Sequence, residues 1–189
     1  MNKTTLILII LLIGVIILAG FIIQSSLKNG SLNNQTNLIQ NPKMILTSPS
    51  FNPNEKIPPK FTCDGGNINP ELHIQNVPES AKSLAMIMDD PDAVSGTFTH
   101  WIVWNIDPKT EIIKQESAPP GATEGENDTS REGYIGPCPP DKKPHRYFFK
   151  LYALDTLLNL EAGSNKAKLE SAMSGHIIEQ TELIGIYER

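Results

Sequence analysis

The fold of this chain is decided by residues 90–101, which read DPDAVSGTFTHW. An apolar run at residues 84–88 precedes this stretch, and a second run follows it as far as Ile106. Apolar runs of this length, with Pro, Gly, Asp and Ser between them, are typical of two β-strands joined by a turn. The stretch therefore predicts a strand, a polar turn with two carboxylates, and a second strand that carries His100.

Short β-like runs continue over the rest of the chain. They lie at residues 44–47, 72–75, 84–88, 97–106, 145–154 and 183–187, and segments rich in Pro, Gly, Asn and Asp separate them. Such spacing favours a mostly β fold, an antiparallel β-sandwich with few helices. One helix is predicted from a cap at Ser164 or Asn165, with apolar residues at helical spacing over residues 169–177. Gly175 either weakens its last turn or marks its end.

The composition limits the number of domains and the kinds of partner. A chain of 189 residues, 39% of them hydrophobic, has room for one domain of about 145 residues after its N-terminal segment. The formal net charge is -5, and no run of five or more Lys or Arg residues occurs. Both features disfavour binding to nucleic acid or to an anionic membrane surface.

The N-terminal segment is apolar enough to span a membrane. Residues 4–23 form an almost unbroken apolar run after Lys3. About 20 such residues cross a hydrocarbon core, whereas the apolar part of a cleaved signal peptide is shorter, at about 7–15 residues. We therefore predict that residues 1–23 anchor the domain on the outside of the cell membrane, with a cleaved signal and secretion as the alternative. Residues 24–43 are polar and aperiodic, which predicts a flexible linker before a domain at residues 44–189.

The position of His100 has two interpretations. Strict alternation along its strand places it on one face with large apolar residues such as Trp104. A lone histidine on such a face is often a buried core residue that serves packing alone. Asp90 and Asp92 offer a polar site instead, because Pro91 biases Asp90 toward extended geometry and the two carboxylates then point to the same side. Taken alone, two carboxylates at a strand end are more often a solvated turn, so this alternative stays open at this point.

A second polar cluster lies where residues 115–144, a long segment of little periodicity, lead into the strand that begins at His145. His145 and Tyr147 share one face at the start of that strand. Gly136 has no Cβ and would let a ligand approach its N–H, while Pro137 and the prolines after it form a stiff wall. Long loops of this kind in compact domains are commonly functional. The cluster therefore predicts one side of a pocket.

These segments resemble the phosphatidylethanolamine-binding protein family, also called Raf kinase inhibitor-like proteins, in its bacterial and archaeal branch. The resemblance covers roughly residues 44–189 and lies in the segments at residues 61–65, 90–105, 133–140, 145–155, 174–177 and 182–187. One departure is Val94, which stands where family members commonly have proline. The resemblance implies the antiparallel β-sandwich of that family, with one or two peripheral helices.

The resemblance also implies an anion-binding pocket and no cofactor. Its ligand-binding residues would be Asp90, Pro91, Asp92, His100, Gly136, Pro137, His145 and Tyr147. Two imidazoles, one phenol and one backbone N–H can donate to phosphate oxygens. We expect protonated His100 and His145 to bind those oxygens while Asp90 and Asp92 hold the rings. A ligand such as phosphoethanolamine offers both an anionic group and a donor for a carboxylate.

Three classes of function stay open for such a pocket. We favour a binding module for a small phosphorylated or anionic ligand, such as a phospholipid head group. The long segment at residues 115–144 suits a second class, a macromolecular inhibitor with a protease or a kinase-pathway protein as its target, and family members have been linked to both roles. An enzyme is the third class. The Asp and His spacing matches no short metal motif, and nothing marks Ser95 as an activated nucleophile, so we predict neither a catalytic nor a metal-binding residue.

Cys63 and Cys138 are the only two cysteines of the chain. An even count in an exported domain favours a disulfide, with two separate thiols as the alternative. The bond would close a loop of about 75 residues and would contribute on the order of 4 kcal/mol in the chain-entropy model. Three glycosylation sequons, at Asn29, Asn34 and Asn127, matter only in a host that modifies them.

Overall fold

The computed structural model describes residue 2 and residues 42–189. Apart from residue 2, the predicted membrane anchor at residues 1–23 lies outside the described residues. The predicted linker at residues 24–43 does so too, apart from its last two residues. Within the described part of the chain, no helix is both long enough and apolar enough to cross a membrane.

Strands dominate the described chain because its apolar residues come in short alternating runs. The elements are β1 (Ile45–Thr47), a 3₁₀ turn (Pro59–Phe61), β2 (Leu72–Gln75), β3 (Ser83–Asp90), β4 (Phe98–Ile106), β5 (Ile112–Ile113), β6 (Thr123–Glu124), β7 (His145–Leu154), α1 (Lys166–Met173) and β8 (Ile177–Tyr187). Five of the six predicted strands agree with these bounds to within two residues. The two-residue strands β5 and β6 are too short to show any periodicity.

The strands form two antiparallel sheets that enclose the main core. The smaller sheet has the order β1-β2-β5 and the larger the order β6-β4-β3-β7-β8. Side chains of both sheets, among them Leu46, Ile74, Met86 and Phe149, meet in one apolar cluster. A second cluster on the far face of the larger sheet includes Leu169 of α1, so that all eight residues of β3 are buried. These layers confirm the predicted antiparallel β-sandwich with a peripheral helix.

The helix α1 begins at the predicted cap and ends earlier than predicted. The side-chain oxygen of Asn165 accepts from the N–H of Lys168 at 3.1 Å, which satisfies one of the free donors of the first turn. Gly175, with a φ of 81°, follows the C-cap Ser174, and a left-handed residue at this position ends a helix. His176 therefore lies in a turn and Ile177 begins β8, so the placement of both on the helix is wrong, while the alternative that Gly175 marks the end of the helix is confirmed.

The strand β8 is longer than predicted and lies at the edge of the larger sheet. Its first half reads IIEQTE and stays largely outside the core, so the apolar signal marks only its second half. Residues 54–57 cover the outer edge of that second half. The N–H of Asn54 donates to the carbonyl of Ile184 at 2.7 Å, and the N–H of Ile57 donates to the carbonyl of Ile186 at 2.8 Å.

A β-bulge in β4 turns His100 away from the face that strict alternation predicts. In the ladder with β3, Trp101 and Thr99 lie opposite consecutive residues, so His100 between them has no partner of its own. A bulge of this kind re-aims a side chain. The His100 ring therefore packs against Tyr147 on the face of the main core, with ring centroids 5.2 Å apart, while Trp104 belongs to the cluster on the other face.

Candidate functional site

A pocket of about 310 Å³ opens where the end of β3 meets the beginnings of β4 and β7. Its polar lining comes from those strand ends, and its apolar lining comes from the turn after β3 and the Pro-rich segment before β7. The lining residues are Asp90, Ala93, Val94, Ser95, Phe98, His100, Ile135, Gly136, Cys138, Pro139, Pro140 and His145. Four of the eight predicted ligand residues are thus brought together here: Asp90, His100, Gly136 and His145.

Asp90 and His145 form a buried ion pair at this pocket. Nδ1 of His145 donates to Oδ2 of Asp90 at 2.7 Å, and the two side chains are only 2% and 5% exposed. The other oxygen of Asp90 accepts from the backbone N–H of Asp92 at 2.9 Å. On the far side of the ring, Nε2 of His145 donates to Oδ1 of Asp141 at 3.1 Å. A carboxylate at each ring nitrogen favours hydrogen on both nitrogens, which is the imidazolium form of the ring.

The pKa of His145 follows from these contacts. Burial acts to lower it, but the hydrogen bonds and charges of Asp90 and Asp141 outweigh burial and raise the pKa of His145 above its ordinary value. Burial acts to raise the pKa of Asp141, but the Lys143 N–H and the His145 ring together hold that pKa below its usual range. The pocket therefore has one positive charge held between two negative ones.

His100 lies in a different environment, which favours the neutral ring. Its Nδ1 lies 2.8 Å from the carbonyl oxygen of Ile135. A carbonyl only accepts, so Nδ1 carries the hydrogen and Nε2 of the neutral ring is left as an acceptor. Burial lowers the pKa of His100, and the Ile135 carbonyl and the charge of Asp90 oppose this only in part. The expectation of a protonated His100 does not fit these surroundings.

Tyr147 lies behind His100 and does not line the pocket, since its side chain is fully buried. Its hydroxyl has no hydrogen-bond partner of normal geometry among the described residues. Burial, followed by the charge of nearby Asp90, raises the pKa of Tyr147, so the phenol stays protonated. A buried hydroxyl without a partner is uncommon in proteins. The Tyr147 hydroxyl therefore carries a hydrogen that no described residue accepts in normal geometry, and it lies near the Asp90 carboxylate.

Gly136 is needed for a different reason from the predicted one. Its N–H donates to Oδ1 of Asn67 at 2.7 Å and is not free to bind a ligand. A Cβ added to Gly136 would lie 2.5 Å from the carbonyl oxygen of Phe61 and 2.8 Å from Cα of Thr62. Glycine therefore lets two loop segments approach each other closely. Asn67 is a residue that sequence reasoning missed.

A disulfide ties the same two segments together, which we call the clasp (residues 61–67 and 134–138). Cys63 and Cys138 are bonded with their Cα atoms 5.5 Å apart, so the predicted disulfide is confirmed. The N–H of Cys63 donates to the carbonyl of Pro137 at 3.1 Å, and the hydroxyl of Tyr134 donates to the carbonyl of Phe61 at 2.7 Å. Because Cys138 and the prolines after it line the pocket, the clasp holds one pocket wall in place.

Three of the predicted ligand residues lie away from the pocket interior. Asp92 accepts two hydrogen bonds from the guanidinium of Arg146, at 2.7 and 2.8 Å, and this pairing lowers the pKa of Asp92 to about 2. A guanidinium fork matches a carboxylate better than an imidazole does, and Asp92 bonds to neither pocket histidine, so the predicted orienting role of Asp92 is wrong. Pro91 is exposed, and Pro137 is buried within the clasp without lining the pocket.

Asp141 and the apolar wall were not predicted from the sequence. Asp141 directly follows the Pro139–Pro140 pair and lies four residues before His145, a spacing that offered a signal for their contact. The apolar wall includes Val94, which is 72% exposed at the pocket. No cis peptide bond occurs in the described chain, either at this turn or elsewhere.

A wider depression of about 770 Å³ lies over β2 and the turn that precedes β5. Its histidine, His73, pairs with Glu71 at the surface, where both side chains are about a third exposed. This depression has no buried charge pair, so the smaller pocket is the better candidate. In the part of the chain that the structure describes, no group of three or more His, Cys, Asp or Glu residues is placed to hold a metal ion.

The opposite pKa shifts of His100 and His145 predict a maximum of stability near pH 6.5. The raised pKa of His145 contributes stability that is complete below 6.5, the ordinary value, and is lost as the pH rises through the folded value. The lowered pKa of His100 contributes stability that is complete above 6.5 and is lost as the pH falls toward the folded value. Each limb should slope by at most about 1.4 kcal/mol per pH unit in urea unfolding.

The variant His100→Gln serves as the control for this pH profile. It removes the titrating ring that causes the acid limb and leaves the ion pair of His145 in place. We expect the acid limb to flatten and the alkaline limb to keep its slope. A wild-type stability that only rises or only falls between about pH 5 and 8.5 would contradict the opposite shifts.

Two antiparallel sheets packed face to face, with a small polar pocket at three strand ends, define a β-sandwich domain suited to hold a small ligand. The sequence model of the phosphatidylethanolamine-binding protein family matches residues 47–188. This chain belongs to that family, and its relatives place it in the bacterial and archaeal branch that the sequence motifs predict.

Three relatives illustrate the match. The UPF0098 protein PH1269 of Pyrococcus horikoshii is 51% identical over 155 residues, which cover 78% of this chain and 78% of that protein. The crystal structure of the phosphatidylethanolamine-binding protein homologue CT736 of Chlamydia trachomatis is 42% identical, with a TM-score of 0.75, and covers 78% of this chain and 98% of that one. The structure of YbcL of E. coli, described as a new member of the mammalian family, is 31% identical with a TM-score of 0.73 and covers 78% and 99%.

Proposed function

We propose that the domain binds a small ligand with an anionic group, of the phosphate monoester type, in the pocket between β3, β4 and β7. The basis of this proposal is the imidazolium of His145, a nearly buried cation among the residues that line the pocket. An anion that reaches this ring gains a charge-assisted hydrogen bond, which is stronger than a bond between neutral groups. The ring is held in place from the other side by Asp90, so it does not have to be ordered when the ligand binds.

The rest of the pocket suits a ligand with a second polar group and a short apolar part. A volume of about 310 Å³ lies at the small end of the range for small-molecule sites. Nε2 of neutral His100 is an acceptor and suits a hydroxyl or an ammonium group. Val94, Phe98 and Pro139 offer apolar contact. Phosphoethanolamine, as a free molecule or as a lipid head group, combines these features.

We further propose that the domain acts outside the cell membrane, tethered by residues 4–23. Two features support this location. The apolar run after Lys3 has the length of a membrane span. The disulfide between Cys63 and Cys138 is of a kind that persists in oxidising compartments and is rare in reducing ones.

Binding fits the pocket better than catalysis does. A serine hydrolase needs a hydroxyl hydrogen-bonded to its histidine base. Among the described residues, the rings of His100 and His145 bond only to the Ile135 carbonyl and to the carboxylates of Asp90 and Asp141. Ser95 lines the pocket but makes no contact of this kind. The pocket groups therefore support recognition of a ligand without a nucleophile to attack it.

Isothermal calorimetry with phosphoethanolamine and with inorganic phosphate tests the proposed function. We expect both to bind, and we expect His145→Ala to weaken binding by on the order of ten- to a hundredfold, because a hydrogen bond to a charged group is lost. Affinity should fall as the pH rises through the raised pKa of His145, since the neutral ring is a weaker partner for an anion. Added salt should weaken binding as well.

The control is His176→Ala, because His176 also pairs with an aspartate but lies outside the pocket. Its Nδ1 bonds to Oδ1 of Asp155 at 2.7 Å on the exposed surface. We expect this variant to bind both ligands as the wild type does. Equal affinity in the wild type and in His145→Ala would contradict the proposed function.

A further inference from the structure

The contact between Asp141 and His145 joins a movable residue to a fixed one. His145 belongs to β7, is 2% exposed and has its Nδ1 held by Asp90. Asp141 belongs to the turn before β7, and its side chain is 26% exposed. Turns at the protein surface are more mobile than buried strands and open locally at a lower free-energy cost. When the contact breaks, Asp141 is therefore the partner that moves.

The turn itself presents the Asp141 carboxylate to the ring. The N–H of Lys143 donates to Oδ1 of Asp141 at 3.2 Å, and Lys142 between them has a φ of 56°. Nζ of Lys143 lies 3.8 Å from Oδ2 of Asp141, although the lysine side chain is 77% exposed. Neither contact is buried, so both are weak and reversible. The Asp141 carboxylate therefore contacts the His145 ring but can leave it.

An imidazolium has two N–H groups, and both of those on His145 are occupied. Asp90 accepts the hydrogen bond from Nδ1, and Asp141 accepts the one from Nε2. A ligand anion that is to bind this cation must replace one carboxylate, and the exposed Asp141 is easier to displace than the buried Asp90. We propose that Asp141 is a built-in competing anion, which occupies the ligand-binding N–H of His145 in the free protein and is displaced by the phosphate group of the ligand.

This role for Asp141 rests on the proposed binding function, because it concerns the same pocket. It has two consequences for recognition. The displaced carboxylate remains beside the pocket, so ligand affinity is lower than the pocket could provide without it. Asp141 also accepts from the second N–H of His145 in the empty pocket, since a buried donor without a partner would be costly.

The test is calorimetry of Asp141→Asn with inorganic phosphate at about pH 6, where the Asp90 pairing keeps His145 protonated. The matched control is Asp155→Asn, which also removes a carboxylate bound to a histidine and changes the net charge equally, but at the surface site of His176. We expect Asp141→Asn to bind phosphate about three- to thirtyfold more tightly than the wild type. Asp155→Asn should bind within about twofold of the wild type.

A carbon-13 titration of the aspartate carboxyl groups in the wild type adds a direct readout. Phosphate should shift the Asp141 signal toward that of an exposed aspartate, which a purely structural role for this residue does not predict. Two results would overturn the competing-anion role and leave the proposed function intact. One is that Asp141→Asn binds phosphate no more tightly than the wild type, and the other is that the Asp141 signal does not change when phosphate is added. An absence of phosphate binding in all three proteins overturns the proposed function, and the role of Asp141 with it.

Discussion

Replacing Cys63 and Cys138 together by serine is expected to lower the free energy of unfolding by about 4 kcal/mol. The disulfide links residues 75 positions apart, and the cross-link removes that loop's freedom from the unfolded chain. For a domain of about 145 residues, this loss corresponds to a fall of roughly 10–15 °C in the melting temperature. Urea and thermal unfolding of the two proteins measure both quantities.

Loss of the disulfide should also weaken ligand binding, because the clasp forms one wall of the pocket. Without the bond, the N–H of Gly136 and the hydroxyl of Tyr134 still have their partners, but these two partly buried contacts would have to hold the wall without a covalent link. We expect phosphate affinity to fall together with stability. Reductant should reproduce both effects in the wild type and should change nothing in the double variant. A difference in unfolding free energy below about 1 kcal/mol would show that the rest of the clasp suffices by itself.

Asp90→Ala is expected to lower the free energy of unfolding by about 3–5 kcal/mol at pH 7. The substitution removes the carboxylate that accepts from Nδ1 of His145 and from the N–H of Asp92. Both partners of the ion pair are almost fully buried, so water cannot replace the lost oxygen atoms. His145 would then keep only the exposed Asp141 as a partner, and its pKa would fall. Denaturant unfolding measures the loss, and an NMR titration of His145 measures the change in pKa.

Asp92→Ala, two residues further along the chain, in the turn after β3, is the matched control. It also removes one aspartate from a pair, but Arg146 and Asp92 are 54% and 29% exposed. An exposed ion pair of this kind contributes about 0–1 kcal/mol. The comparison separates the effect of burial from the effect of charge. Equal losses of unfolding free energy in the two variants would mean that the buried pair between Asp90 and His145 stabilises the fold no more than the exposed pair does.

Most of the strands could be predicted because their apolar residues are consecutive or alternate strictly. The strand β7 is the clearest case, since His145, Tyr147 and Phe149 are buried while Arg146 between them is exposed. The first half of β8 could not be predicted in this way. It lies at a sheet edge, is mostly polar and is held by backbone hydrogen bonds that leave no mark in the side-chain pattern.

Half of the predicted ligand residues line the pocket, but their hydrogen-bond partners could not be predicted. The motifs place His100 and His145 near Asp90, and the structure brings these side chains to one pocket. Periodicity cannot show a bulge, however, and the bulge decides which face His100 occupies. Nor can a sequence show that the Gly136 N–H is taken by Asn67, or that Nε2 of His145 is taken by Asp141. Such contacts depend on loop geometry.

The cover that residues 54–57 provide for β8 has a consequence for when the protein can fold. The bond from Asn54 to Ile184 joins residues 130 positions apart, and the hydroxyl of Tyr187 reaches Asp64 at 2.7 Å. At about 5–20 residues per second, a ribosome needs roughly 6–26 seconds to make the chain between Asn54 and Ile184. During that time residues 54–57 have no partner strand, and non-local pairings form slowly even afterwards. The outer edge of the larger sheet therefore stays incomplete until the last strand of the domain is made.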